Sequence, residues 1–162
     1  MKTSDLRIRY RIKPGDVDHI EEIVESTGFF REDEIIVACE LPEERLTKGL
    51  ESGYEFVFIE HNGKPIAYSC FGLIPCTLVS YDLYWIVTHN DYRGNGVGSM
   101  LINETEKQIK ALGGKTIYVE TSSKPQYLPT RMFYEKNQYL LKTTFEDFYD
   151  VGDNKLVYIK KV

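Results

Sequence analysis

The chain is poor in the features that mark several protein classes. None of its apolar runs approaches the roughly 20 residues a membrane helix needs; among the longest are Ile35–Cys39 and Trp85–Val87. The opening Met1–Asp5 has no apolar stretch behind it, so no secretory leader is expected. Cysteine is scarce and odd in number: Cys39, Cys70 and Cys76. The five residues between Cys70 and Cys76 fit no common zinc spacing, and the three histidines, His19, His61 and His89, are dispersed. No metal site is expected, and the thiols read as free and mostly packed in a reducing cytoplasm. Glycine and proline, at 12 and 6, are too few for a collagen-like or low-complexity chain. Basic residues are fewer than acidic ones, 20 against 25, giving a net charge of −5. A protein that grips a phosphate backbone is usually basic, so nucleic acid is not the expected partner, and neither is a membrane. A cationic substrate is mildly favoured.

What is present is enough for one core. At 162 residues, with 42% hydrophobic and 28% charged, the chain reads as a single domain over 1–162. Leu6, Ile8, Tyr10 and Ile12 alternate with Arg7, Arg9, Arg11 and Lys13, which predicts a strand whose arginines face solvent. Val17, Ile20, Ile23, Val24 and Thr27 recur at helical spacing until Gly28. A second helix over Glu32–Leu41 is expected to break at Pro42, with another short helix over Glu43–Leu50. Two strands flank the hairpin signal Asn62-Gly63. Tyr81–Val87 reads as the central strand. Val97, Leu101, Thr105, Ile109 and Leu112 line one face of the helix after it. A strand at Ile117–Val119, a short helix over Pro129–Lys136 and an antiparallel pair close the chain. The order is β-α-α-β-β-β-α-β-α-β-β. The strand–turn–helix–strand unit makes its two strands parallel, while the rest are hairpins. The class is α+β with a mixed, mostly antiparallel sheet flanked by helices.

The most informative segment is Arg93-Gly94-Asn95-Gly96-Val97-Gly98 at the mouth of the long helix. Glycines permit a tight turn and close backbone approach. The free N–H groups and dipole of the helix start favour an anion. A dinucleotide fingerprint fails, because its third glycine falls on Ser99. A P-loop ending in Gly114-Lys115-Thr116 fails as well, because its first glycine falls on Ile109.

With Arg93, Gly96 and Gly98 in an R-x-x-G-x-G pattern after a strand ending in Val87, the stretch Trp85–Leu101 resembles the coenzyme-binding motif of the GNAT superfamily of N-acyltransferases. Thr130–Tyr139 is similar to that family's A-x-x-F-Y-x-x-x-G-F motif: Phe133 and Tyr134 match, and Gln138 replaces the glycine. The resemblance runs from about Tyr54 to the C-terminus. It implies a sheet splayed between its two parallel strands, with acetyl-CoA in the opening and no metal. The backbone of Trp85, Ile86 and Val87 would pair with the pantetheine amides. The pyrophosphate would meet Arg93, Gly94, Asn95, Gly96, Val97, Gly98 and Ser99.

The implied reaction is direct attack of a neutral amine on a thioester. A proton must leave the amine, an oxyanion must be stabilised, and a thiolate of pKa about 8.5 must depart. Tyr134 matches the family tyrosine beside the sulfur and is assigned as general acid. For the base, Asp82 matches a position where some members carry glutamate, and Glu120 is the second candidate. A lysine-like amine needs roughly 4–5 kcal/mol of help at pH 7, an α-amine about 1. Ser122 or Ser123 stands in place of a frequent family asparagine. The acceptor, a small-molecule or protein amine, is expected against Phe30, Tyr84, Tyr127 and Tyr149. The acidic and aromatic run Phe145–Asp150 suits a cation. Two other functional readings stay open: a non-catalytic acyl-CoA-binding module of the same fold, and a nucleotide-binding protein that uses the same turn for ATP or NAD; for assembly, a homodimer is left open.

Overall fold

The computed structural model describes residues 5–162, so the leader reading of the first four residues lies outside the described residues. Strand β1 (Leu6–Arg9) leads to helices α1 (Asp16–Ser26) and α2 (Glu32–Lys48). Strands β2 (Glu55–His61), β3 (Lys64–Leu73) and β4 (Ser80–Thr88) follow, then α3 (Val97–Ala111). The chain ends with β5 (Thr116–Ser122), α4 (Leu128–Lys136), β6 (Leu140–Asp150) and β7 (Asp153–Lys161). This is the element order expected from the sequence. The strands lie in the order β1-β2-β3-β4-β5-β7-β6, and β4 runs parallel to β5. The mixed α+β class stands. Among the described residues no helix is long and apolar enough to cross a membrane.

The chain divides into two compact units, and β4 gives one half to each. The first holds residues up to Gly72 together with Trp85–Lys107. Its core follows from the α1 pattern: Ile20, Ile23 and Val24 are buried against Ala38, Phe56, Phe58, Tyr68, Cys70 and Val87. Helical spacing puts the three α1 residues on one stripe, and burying each stabilises the fold by roughly 1.5–3 kcal/mol. Asn62 and Gly63 both take positive φ, giving the tight β2–β3 hairpin that the pair predicts.

Two expectations are corrected in this unit. Pro42 does not end a helix; it sits buried inside the 17-residue α2. An interior proline costs about 3 kcal/mol, but Ala38 and Leu41 on the preceding turn pack into the core, which holds the helix through it. Arg9 does not face solvent with Arg7 and Arg11. Its guanidinium meets both Asp16 carboxylate oxygens at 2.8 Å and Glu60 Oε1 at 2.6 Å, with its carbon 4.4 Å from the centre of the Phe58 ring. The face that alternation marks as wet is here the face that holds a buried ion network, while Ile8 is left exposed.

The second unit holds Leu73–Tyr84 and Gln108–Val162. Tyr81, Leu83, Ile109, Ile117, Val119, Tyr134, Tyr139 and Tyr158 are buried in it. Leu112, expected on the packed face of α3, is exposed, because the helix ends at Ala111 and Leu112 falls in the turn beyond it. Strand β6 is exposed along its whole length as the outermost strand on this side.

Candidate functional site

In the first unit, the second half of β4 delivers the chain to the glycine turn. Val87 is anchored in the core, and the Trp85 ring lies edge-on to Phe30 at 5.1 Å. The His89 N–H donates to the Ile66 carbonyl at 2.8 Å, and its Nδ1 accepts the Asp91 N–H at 3.2 Å. This starts a single 3₁₀ turn over Asn90–Tyr92. The Asn95 side chain then donates back to the Arg93 carbonyl at 3.2 Å. Gly94 and Gly96 take φ of 76° and 78°, and a Cβ at either would meet nothing within 4 Å. They are therefore fixed by backbone conformation, since side-chain-bearing residues disfavour that region. Met100 N–H donates to the Gly96 carbonyl at 3.0 Å. Gly96 is thus the last residue before the helix, and the N–H groups of Val97, Gly98 and Ser99 precede any intrahelical partner. Arg93 through Gly96 are exposed. Open space beside glycine backbone, free N–H groups and a helix dipole fit a pyrophosphate.

The histidines are less dispersed than their spacing implies. His61 and His89 both lie against Tyr92, with ring centres 5.6 and 5.9 Å away. Only the β2–β3 hairpin and the turn after β4 bring them together, so no local signal could have shown it.

In the second unit, parallel pairing runs from Ser80↔Thr116 to Asp82↔Tyr118 and goes no further, although both strands continue. Strand alternation then fixes what shares a face. Asp82 lies with Tyr118 and Glu120, and with Ile159, Val157 and Lys155 of β7, through the pairs Tyr118↔Ile159, Glu120↔Val157 and Ser122↔Lys155. Tyr84, two residues beyond Asp82, is on the same face and exposed. The Asp82 carboxyl is pushed above the usual aspartate range, first by burial and then by Glu120, while Lys155 pulls it back.

Tyr134 belongs to the opposite face. Its ring centre lies 5.6 Å from that of Tyr139 and 6.1 Å from that of Tyr158, the residue paired with Val119. Burial pushes its phenol well up, so the hydroxyl is protonated at neutral pH. The acid candidate and the two base candidates therefore stand on opposite sides of the unit's sheet. Ser122 and Ser123 are both engaged by β7. Ser122 donates to Asp153, and Ser123 Oγ accepts the Asn154 N–H at 2.8 Å. Arg131 orders the loop after β5 by donating to the carbonyls of Ser122 and Lys124 at 2.8 and 2.9 Å. Of the acceptor candidates, Tyr149 stacks edge-on against Phe148 at 5.1 Å and Tyr127 ends a 3₁₀ turn. Phe30 is packed in the first unit. The residue the sequence reading missed is Lys155, 3.4 Å from Glu120 and 4.0 Å from the centre of the Phe148 ring. Its partners become visible only through strand register. Among the described residues no cluster of three potential metal ligands occurs.

A family model described as the acetyltransferase (GNAT) family matches residues 18–139. The chain belongs to that family. A crystal structure of a GNAT-family protein from Desulfovibrio desulfuricans is 36% identical, with 96% of this chain and 98% of that one covered at a TM-score of 0.95. The ribosomal-protein-S18-alanine N-acetyltransferase of Escherichia coli has the same fold at 16% identity and a TM-score of 0.74, covering 97% of this chain and 94% of that one. An aminoglycoside 6'-N-acetyltransferase complexed with coenzyme A does so at 17% identity and a TM-score of 0.75, covering 96% of each chain. A search of curated proteins returned no match.

Proposed function

We propose that the chain transfers an acetyl group from acetyl-CoA to a primary amine, on a small molecule or a protein, by direct attack in a ternary complex. The observation that carries this is the turn at Gly94–Gly96. Its two positive-φ glycines lead into the first turn of α3, where the N–H groups of Val97, Gly98 and Ser99 have no intrahelical partner. The coenzyme supplies an activated thioester. The N–H groups of Val97, Gly98 and Ser99 hold its pyrophosphate, and Arg93 adds a positive charge at the exposed turn. The β4 backbone from Trp85 to Val87 offers its N–H and C=O groups to the pantetheine amides.

The chemistry needs one bond made and one broken. The amine nitrogen bonds to the acyl carbon, the carbon–sulfur bond breaks, one amine proton goes to a carboxylate, and sulfur takes a proton. Asp82 is the better acceptor of the amine proton. A carboxylate with a raised pKa is a stronger base than an ordinary one and closer to the working pH. Tyr134 donates toward the sulfur. Its burial keeps the hydroxyl in the protonated form at neutral pH.

Calorimetric titration with acetyl-CoA, against CoA, ATP and NAD, tests the proposal. Micromolar binding restricted to acetyl-CoA and CoA supports it. Binding of ATP or NAD at equal strength would replace it with a general nucleotide site.

A further inference from the structure

Asp82, Glu120 and Lys155 share one face of the second unit's sheet, and these three charged groups are not equivalently placed. Glu120 is the outer one, and its side chain is 52% exposed. Lys155 is the unusual one. Lysine side chains normally extend into water, yet this one is 15% exposed on a strand whose neighbour β6 is exposed throughout. Its ammonium lies 4.0 Å from the Phe148 ring centre, 5.1 Å from that of Phe145, and 3.4 Å from Glu120 Oε1. Phe145 is its direct cross-strand partner. Ordering a long side chain this way costs rotamer entropy, which two cation–π contacts and one ion pair offset. Asp82 has no hydrogen-bond or ion-pair partner among the described residues. The charged groups that act on it are Glu120 from β5 and Lys155 from β7; Tyr118, opposite it, and Tyr84, along its own strand, are phenols.

We propose that Lys155 is a positioning residue: clamped by Phe145 and Phe148 and paired to Glu120, it takes Glu120 out of use as a base and leaves Asp82 as the proton acceptor of this face. This rests on the acetyltransferase reading. Its logic is an asymmetry between two like charges. Two carboxylates on one face raise each other's pKa, and a cation placed on one of them keeps that one ionised. Glu120 is exposed and has the Lys155 ammonium 3.4 Å from its carboxylate. Asp82, half-buried and unpaired, is the site where a proton gained from an amine is held. Lys155 also limits the effect, since its charge acts on Asp82 in the opposite sense to that of Glu120.

The test is direct observation of the carboxyl groups in the full chain. Protein labelled with ¹³C at the aspartate and glutamate carboxyl carbons is titrated by NMR, with Asp82→Asn and Glu120→Gln giving the assignments. Lys155→Met is expected to move the Asp82 midpoint upward, Glu120→Gln to move it downward, and Lys155→Arg to leave it in place. Loss of packing alone would not move the two variants in opposite directions. Shifts in the same direction, or none, overturn the proposal. So does a Glu120 midpoint above that of Asp82 in the unaltered chain. Turnover with spermidine and with an unblocked tripeptide as acceptors gives the second readout. Asp82→Asn should lower kcat by roughly a hundredfold, the usual scale for a general base, and Glu120→Gln by less than a tenth of that factor. The reverse order overturns the assignment. Opposite NMR shifts with coenzyme binding but no acetyl transfer to either amine would leave the charge arrangement standing and count against the transferase reading instead.

Discussion

Replacing Gly96 separates a conformational requirement from a steric one. At φ of 78° the residue occupies the left-handed region, and a Cβ built there touches nothing within 4 Å. A substitution therefore adds no clash, and its whole cost is backbone strain. That cost is about 1–2 kcal/mol for an ordinary L-residue, more for a β-branched one and less for asparagine. The folded variant has two ways to meet it. It can keep the native turn, in which case stability falls by that amount and coenzyme affinity is unchanged. Alternatively the turn relaxes to negative φ, stability is kept, and the N–H groups of Val97–Ser99 lose their alignment. Coenzyme affinity then falls by at least the strain needed to restore the turn, roughly 5- to 30-fold.

The loss in folding free energy and the loss in binding free energy must therefore sum to at least about 1–2 kcal/mol for Gly96→Ala. The sum should rise in the order Asn, Ala, Val. Urea unfolding gives the first quantity and calorimetry with coenzyme A gives the second, on the same preparations. A Gly96→Val protein with the stability and the coenzyme A affinity of the parent would refute the argument. It would show that the positive φ at this position is not needed for either.

The remaining expectations are independent of that one. Arg9→Met strands Asp16 and Glu60 beside each other without a cation, so it should destabilise the chain by about 3–5 kcal/mol in urea unfolding; a loss under 1 kcal/mol would mean the network is solvated after all. Arg9→Lys should recover only part, because an ammonium cannot reproduce the two-pronged contact with Asp16. Tyr134→Phe keeps the ring packing against Tyr139 and Tyr158 and removes only the hydroxyl. It should lower kcat by about tenfold to a hundredfold with coenzyme A affinity unchanged, and a full-rate variant would remove Tyr134 from the chemistry. Burial and the glutamates around it push the Cys39 thiol up to about 11. Exposed Cys76 should therefore be alkylated by iodoacetamide well before Cys39 at pH 8, with the Cys39 rate still climbing past pH 10; mass spectrometry of the labelled peptides decides it.

What could be read without a structure was whatever a short window encodes. The α1 stripe of Ile20, Ile23 and Val24, the Asn62-Gly63 hairpin and the glycine turn at the head of α3 each declare themselves within a dozen residues, and each is found in place. The failures share a cause as well. Pro42 reads as a break because the local penalty is visible while the packing of Ala38 and Leu41 that offsets it is not. Arg9 reads as wet because alternation says which residues share a face, not which face is buried. The candidate site shows the same boundary. Asp82, Glu120 and Tyr134 could each be singled out, but their arrangement is set by the pairing Asp82↔Tyr118 and Val119↔Tyr158, which joins segments far apart in the chain. Only that register puts the two carboxylates on one side of the sheet and the phenol on the other. Only that register brings in Lys155, a residue unremarkable in its own neighbourhood. The groups proposed for the chemistry were thus nameable from type and motif, whereas the group proposed to decide between them had to wait for the strands to be aligned.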